Sequence, residues 1–366
     1  MIIFGSPSRY YQGPDCLAQV GPVAAAIGTR VVVVADAFVL PMLRDRLEAS
    51  FSQAGVSAQI LPFSGNVTAA SIDDLLAAVL SGPLAGKPDA VIAVGGGKAI
   101  DVGKALSHTL GCDIVTVPTA AANDAPTSKN YVIYDDNYVL VEVAHLPSNP
   151  RAVIVDTNVI ASAPAALLTA GIGDAVTKAF EAAQCYNSGG RNMFGQQASL
   201  SGLALAEAGY RTLRQYAVAG LALAGTGRSN PEFEKLIESM FLMGGLGFES
   251  GGLSIAHAMT RGLSKVPEAA KAMHGHQVAY GLLVQLVLEE RSDAFMADIK
   301  GFYRQVGLPV TLAELGVTDP TNGMFEAIAG PTLAAPHAKN FQRTLTEHDL
   351  AGAMRQLEAA VTPRHG

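Results

Sequence analysis

The sequence is short of charge, of cysteine and of basic clusters, and each shortage argues against a class of protein. Only 16% of the 366 residues are charged, and the formal net charge is −7. The chain has no basic cluster or arginine-rich arm, which argues against a nucleic-acid partner. Its three cysteines, Cys16, Cys112 and Cys185, show neither metal-site spacing nor a redox pair. We therefore expect reduced, mostly buried thiols.

Long apolar runs are also missing. No run reaches the length needed to span a bilayer, and the first residues lack the basic region and apolar core of a signal peptide. We expect no membrane partner and a cytoplasmic protein. Hydrophobic residues nevertheless make up 49% of the chain, enough to bury a substantial core. The low charge also favours large buried interfaces, as in a homo-oligomer.

Apolar runs alternate with helical patterns in the first part of the chain. The sequence predicts strands at the following residues: 30–35, 58–62, 89–94, 113–117, 131–134 and 152–156. Continuous apolar strands separated by helices indicate a parallel sheet covered on both faces. Beyond residue 161, long Ala- and Leu-rich helical stretches replace the strands. The sequence thus predicts an α/β domain at residues 1–161 and a helical domain at residues 162–366.

A glycine loop follows one of these strands. Gly95, Gly96, Gly97 and Lys98 stand between the strand at 89–94 and a helix predicted at 99–110. Glycines allow close backbone approach, and the exposed N–H groups of a helix start favour an anion such as a pyrophosphate. The loop has neither Walker A spacing nor the usual Gly-x-Gly-x-x-Gly pattern. A tight strand-to-helix turn without a ligand explains these glycines equally well.

Two aspartates at strand ends indicate polar ligands. Asp36 ends the strand at 30–35, where a carboxylate can bind a ribose diol and favours NAD over NADP. Asp124 lies in the polar loop at 117–128 and could accept hydrogen bonds from a polyol. The alternatives are a helix cap or turn for Asp36 and an ordinary surface loop for Asp124.

Asp174, His257 and His274 form a possible metal site. All three are flanked by apolar or small residues, where a lone carboxylate or imidazole would be costly to bury. The sequence predicts Asp174 near the first turn of a helix, His257 in the middle of another helix, and a turn between the two histidines. This donor set suits Zn²⁺, and Fe²⁺ is also plausible. The ion would stabilise an alkoxide while hydride leaves for nicotinamide.

These motifs together resemble the glycerol dehydrogenases of the metal-dependent (iron-containing) alcohol dehydrogenase superfamily. The matching segments lie at residues 6–13, 33–39, 95–101, 123–128, 171–175, 247–258 and 274–281. The resemblance implies a Rossmann-like sheet domain and a helical domain, in a dehydroquinate synthase-like architecture. It also implies NAD-linked oxidation of glycerol, or a related vicinal diol, to the ketone, and assembly into homo-octamers.

Site residues follow from the resemblance by matching position. Asp174, His257 and His274 look like the metal ligands, and Asp124 looks like the residue that binds the polyol. The residues that look like cofactor contacts are Asp36, Gly95, Gly96, Gly97, Lys98, Asp101, Thr119, Ser128 and Tyr134.

The chain departs from the family pattern at a few positions. His276 stands where the family usually has glutamate, two residues after His274, and Asn123 replaces a usual threonine beside Asp124. Residues two apart on a helix do not share a face, so His276 is predicted not to join His274 on one ion. The alternatives for it are a surface or interdomain position, and a role in supporting the metal ligands or relaying protons.

Two alternative functions keep the same architecture. One is a dehydrogenase or reductase of 2-hydroxy or 2-oxo acids or other small alcohols; the carboxylate of Asp124 argues against an anionic substrate. The other is a dehydroquinate synthase-like lyase, which needs clustered basic residues. The helical part of the sequence has few of them around the metal motifs.

Overall fold

A computed structural model describes residues 1–84, 86–135 and 140–359. The chain divides into two compact units. The sheet unit consists of Gly5–Ala165 and Leu223–Gly245, and the helical unit consists of Met1–Phe4, Ala166–Ala222 and the chain from Leu246 onward. Among the described residues, no helix is both long and apolar enough to cross a membrane.

Eight strands and sixteen helices, with short 3-10 and π-helical turns between some of them, make up the described chain. The strands are β1 (Tyr10–Gly13), β2 (Arg30–Asp36), β3 (Ser57–Phe63), β4 (Ala90–Gly95), β5 (Asp113–Pro118), β6 (Asn130–Tyr134), β7 (Leu140–His145) and β8 (Ala152–Asp156). The helices are α1 (Val20–Ala25), α2 (Leu40–Gln53), α3 (Ala69–Leu80), α4 (Gly97–Leu110), α5 (Thr157–Ser162), α6 (Ala165–Ala175), α7 (Lys178–Asn187), α8 (Leu200–Leu221), α9 (Pro231–Glu238), α10 (Gly245–Gly251), α11 (Ile255–Leu263), α12 (Pro267–Ala270), α13 (His274–Leu288), α14 (Asp293–Val306), α15 (Asn322–Leu333) and α16 (Glu347–Ala359).

The sheet unit is built on six parallel strands in the order β1-β8-β5-β4-β2-β3. Side chains alternate between its two faces. Val31 and Val33 join a core with α1 and α2, whereas Val32 and Val34 join a core with α3 and α4. Burial on both faces explains the continuous apolar strands, and the predicted parallel sheet is confirmed.

Three strands and one chain segment differ from the sequence-based prediction. No strand was predicted at β1, which lies at one edge of the main sheet, or at β7. β6 pairs with β7 in a separate antiparallel ribbon rather than in the main sheet. The segment Leu223–Gly245 belongs to the sheet unit, although the sequence places residues 162–366 in one helical domain. Glu234 ties this segment to the sheet unit, because it accepts hydrogen bonds from Gln12 Nε2 at 2.9 Å and Thr157 Oγ1 at 2.5 Å.

Candidate metal and dinucleotide sites

The metal-type residues lie on three helices of the helical unit. Asp174 is in the last turn of α6, His257 is in the first turn of α11, and His274 begins α13. The sequence-based positions of Asp174 and His257 within their helices are therefore wrong. Gly171 and Gly173 continue α6 instead of preceding a helix, and α11 begins only at Ile255.

Close backbone contacts set these helices against one another. A Cβ atom at Gly275 of α13 would lie 1.7 Å from the carbonyl oxygen of Ala170 in α6. A Cβ atom at Gly281 of α13 would lie 2.4 Å from the carbonyl oxygen of Ala256 in α11. Only glycine permits such approaches. The two glycines therefore let α13 pack directly on the helices that carry Asp174 and His257.

This packing brings the three side chains into one cluster. One ligand-type atom from each of Asp174, His257 and His274 lies within 4.8 Å of the other two. Asp174 Oδ1 and His257 Nε2 are 3.1 Å apart, and the two imidazole centroids are 5.5 Å apart. Asp174 is buried, whereas His274 is exposed. The donor set fits a divalent ion of the Zn²⁺ or Fe²⁺ type with one side open.

Glu181 of α7 orients His257 and was missed in the sequence. Its Oε2 lies 2.5 Å from His257 Nδ1, and its Oε1 accepts the backbone N–H groups of Ser254 and His257, both at 2.9 Å. Burial would raise the pKa of Glu181, but the charge and hydrogen bond of His257 outweigh it and lower the pKa to about 2. The carboxylate holds a proton on Nδ1, so Nε2 faces Asp174.

A buried lysine also reaches the cluster. Lys178 Nζ lies 2.7 Å from Asp174 Oδ1 and 3.1 Å from His257 Nε2. Burial would raise the pKa of Asp174, yet the Lys178 ammonium and the His257 ring hold it well below its usual value. The sequence offered one signal for both missed residues. Lys178 and Glu181 stand four and seven positions after Asp174 in an apolar stretch, a spacing that puts charges on one helical face.

His276 takes no part in this cluster. It lies in the first turn of α13, and burial lowers its pKa. In the part of the chain that the structure describes, its buried Nε2 has no hydrogen-bond partner. Both of the roles considered for His276 stay predictions.

The glycine loop and Asp36 meet at the carboxyl edge of the parallel sheet, in the sheet unit. Gly95 ends β4 with φ of +150°, and a Cβ atom there would lie 2.8 Å from Asp36 Cβ, at the end of β2. Gly96 caps α4, and no atom lies within 4 Å of the place that its Cβ would take. Gly97 begins α4 beside Asn123 Nδ2. Open backbone N–H groups at a helix start suit a phosphate.

The remaining predicted site residues also belong to the sheet unit. Their positions are Lys98 and Asp101 in α4, Thr119, Asp124 and Ser128 in the loop after β5, and Tyr134 at the end of β6. The Thr119 backbone N–H donates to Gly95 O at 3.1 Å. The buried ammonium of Lys104 donates to Ala125 O and Asn130 O, both at 2.6 Å, which fixes the end of this loop. Thr119 and Ser128 are buried, and Lys98 is exposed.

We expect Asp101 to make the stability of the sheet unit depend on pH. Burial raises its pKa from 3.8 to about 7, the nearby Asp124 adds to this, and Lys104 and the Val132 N–H oppose it. Between about pH 4 and pH 7 the unfolded chain loses this proton while the folded protein keeps it, so rising pH costs stability. We expect the Asp101→Asn variant not to lose stability in this way as the pH rises.

Urea unfolding at pH 5 and pH 8 measures the effect. The stability of Asp101→Asn relative to the wild type should be higher at pH 8 than at pH 5. Asp73→Asn, on the exposed face of α3, controls for the loss of one carboxylate. An Asp101→Asn difference that is the same at both pH values contradicts the expectation.

The chain is similar to known proteins in both sequence and structure. Residues 7–157 match the family model for iron-containing alcohol dehydrogenase. A glycerol dehydrogenase of Escherichia coli is 38% identical over 89% of this chain and 88% of that protein. A glycolaldehyde reductase of Halobacterium salinarum is 37% identical over the same shares. The crystal structure of glycerol dehydrogenase from Schizosaccharomyces pombe has a TM-score of 0.92 at 31% identity and covers 98% of this chain and 91% of that one.

Proposed function

Because this chain belongs to the iron-containing alcohol dehydrogenase family, we propose that it oxidises glycerol to dihydroxyacetone with NAD⁺ and a divalent metal ion. The observation that carries the proposal is the cluster of Asp174, His257 and His274, whose ligand-type atoms lie within 4.8 Å of one another. The glycerol dehydrogenases among the similar proteins support the choice of substrate.

On the metal side, Asp174, His257 and His274 are the proposed ligands of Zn²⁺ or Fe²⁺. A bound divalent ion would supply a Lewis acid for the alcohol oxygen. Neighbouring side chains set the protonation of two of these proposed ligands. Glu181 keeps a proton of His257 on Nδ1, so Nε2 is the nitrogen that would lose its own proton and bind the ion. Asp174 stays ionised because its pKa is held low.

On the cofactor side, the glycine loop is proposed to bind the pyrophosphate of NAD through the N–H groups at the start of α4. Asp36 would accept hydrogen bonds from the adenosine ribose, and Asp124 would accept them from glycerol. The further proposed contacts are Lys98, Asp101, Thr119, Ser128 and Tyr134. Asp36 and the three glycines lie at one sheet edge, as a shared ligand requires.

Turnover of a substrate panel tests this function. Purified protein with NAD⁺ and glycerol should generate NADH absorbance, a chelator should abolish it, and added Zn²⁺ or Fe²⁺ should restore it. The panel contains glycerol, other vicinal diols and 2-hydroxy acids. We expect kcat/KM for glycerol to exceed that for the acids at least about tenfold, because Asp124 would repel a carboxylate. No turnover of any diol would sink the proposal.

A second candidate is a reductase of small hydroxyaldehydes. The 37% identical glycolaldehyde reductase of Halobacterium salinarum favours it. Assays in the reducing direction, with NADH and either dihydroxyacetone or glycolaldehyde, compare the two. A larger kcat/KM for glycolaldehyde would favour this second candidate. A cytoplasmic location and a homo-octameric assembly stay predictions from the sequence.

A further inference from the structure

Lys178 places a positive charge among the proposed metal ligands. It is the first residue of α7, four positions after Asp174, and its side chain is 1% exposed. Its Nζ lies 2.7 Å from Asp174 Oδ1, 3.1 Å from His257 Nε2 and 4.9 Å from the centroid of the Phe248 ring. The ammonium is thus held in the cluster by two polar contacts and one aromatic face.

The two atoms that Lys178 contacts are the ones that a metal ion would need. Glu181 occupies Nδ1 of His257, so Nε2 is the nitrogen left for an ion. Zinc binds such nitrogen and oxygen atoms at about 2.0–2.2 Å. An ion at that distance from Asp174 Oδ1 and His257 Nε2 would be an immediate neighbour of the ammonium. The ion and the Lys178 ammonium would therefore compete for places beside the same two atoms.

The charges of the cluster support the same conclusion. Asp174 and Glu181 supply two buried carboxylates, which balance one divalent cation. The Lys178 ammonium adds a positive charge to that set in a water-poor environment, where charges interact strongly. Without a metal ion, the same ammonium offsets part of the cost of burying the two carboxylates.

We propose that Lys178 is an internal cation that competes with the divalent ion for Asp174 and His257 and so sets the metal affinity of this enzyme. The inference rests on the proposed metal site. Replacing Lys178 with methionine keeps most of the length and the apolar stem of the side chain but removes its charge. We expect Lys178→Met to bind Zn²⁺ at least about tenfold more tightly than the wild type.

A chelator competition titration of the metal-stripped full-length protein with Zn²⁺ measures this affinity. Lys178→Arg keeps the positive charge and should bind Zn²⁺ no more tightly than the wild type. The matched control is Lys104→Met, which removes a buried lysine of the sheet unit and should leave the Zn²⁺ affinity unchanged. Circular dichroism verifies that each variant is folded. Equal or weaker Zn²⁺ binding by Lys178→Met overturns the proposal.

Thermal unfolding gives a second readout that does not depend on activity. Metal-stripped Lys178→Met should have a lower Tm than the metal-stripped wild type, and Zn²⁺ should raise its Tm by more. Asp174→Asn separates the two proposals. If neither the wild type nor Lys178→Met binds Zn²⁺ more tightly than Asp174→Asn does, the metal site itself is refuted. If the wild type and Lys178→Met bind Zn²⁺ with equal affinity, and both bind it more tightly than Asp174→Asn does, only the role of Lys178 is refuted.

Discussion

Replacing Asp174 with asparagine is expected to lower kcat/KM for glycerol at least about a thousandfold, the largest effect of any substitution considered. The carboxylate is one of three proposed ligands, and it alone among them carries a negative charge. An amide in its place would weaken metal binding, and the Lewis-acid contribution of several kcal/mol would be lost with the ion.

The same substitution should also destabilise the protein. Asp174 Oδ1 lies 2.7 Å from the buried Lys178 ammonium, and removal of one partner of a buried ion pair costs about 3–5 kcal/mol. Activity must therefore be measured at a temperature at which circular dichroism shows that Asp174→Asn is folded. Metal content, measured on the same sample, should fall together with activity.

Asp298→Asn is the matched control for this experiment. Asp298 is 60% exposed and pairs with Arg214 at 2.9 Å in the same helical unit. Its loss should cost less than about 1 kcal/mol and leave the activity and the metal content unchanged. Folded Asp174→Asn that keeps activity within tenfold of the wild type would show that the cluster is not the catalytic metal site.

Glu181→Gln is expected to weaken metal affinity by about 10- to 100-fold, although it replaces none of the three proposed ligands. The carbonyl oxygen of the introduced amide can still accept the backbone N–H groups of Ser254 and His257. The NH₂ group of that amide would then face His257 Nδ1 and donate to it. That change forces the imidazole proton onto Nε2, the nitrogen that the proposed metal ion would need.

The two consequences of Glu181→Gln have separate measurements. Chelator competition reports the Zn²⁺ affinity, and ¹⁵N chemical shifts report which nitrogen of His257 carries the proton. Unfolding should show a loss of roughly 1–3 kcal/mol, because a hydrogen bond to a buried carboxylate is removed. Glu326→Gln, at a glutamate that is 66% exposed, should change none of these quantities. Unaltered Zn²⁺ affinity in Glu181→Gln would mean that its carboxylate has only a structural role.

Local patterns were enough to predict the main sheet and much of the helical part. β2, β4, β5 and β8 are apolar runs buried on both faces, so the sequence carries their signal directly. β1 has no such signal, because its four residues are only half-buried. Its place beside β8 depends on pairing with residues about 140 positions away.

The residues of the candidate site could likewise be predicted only in part from the sequence. The sequence by itself determined which side chains could bind a metal ion and a phosphate, since donor atoms and glycine loops are properties of residue type. Only the tertiary structure decided that Lys178 and Glu181 contact the cluster of Asp174, His257 and His274 and that α6, α11 and α13 meet there. Those contacts depend on helix packing at Gly275 and Gly281, and helix packing joins residues far apart in the sequence, which no local pattern specifies.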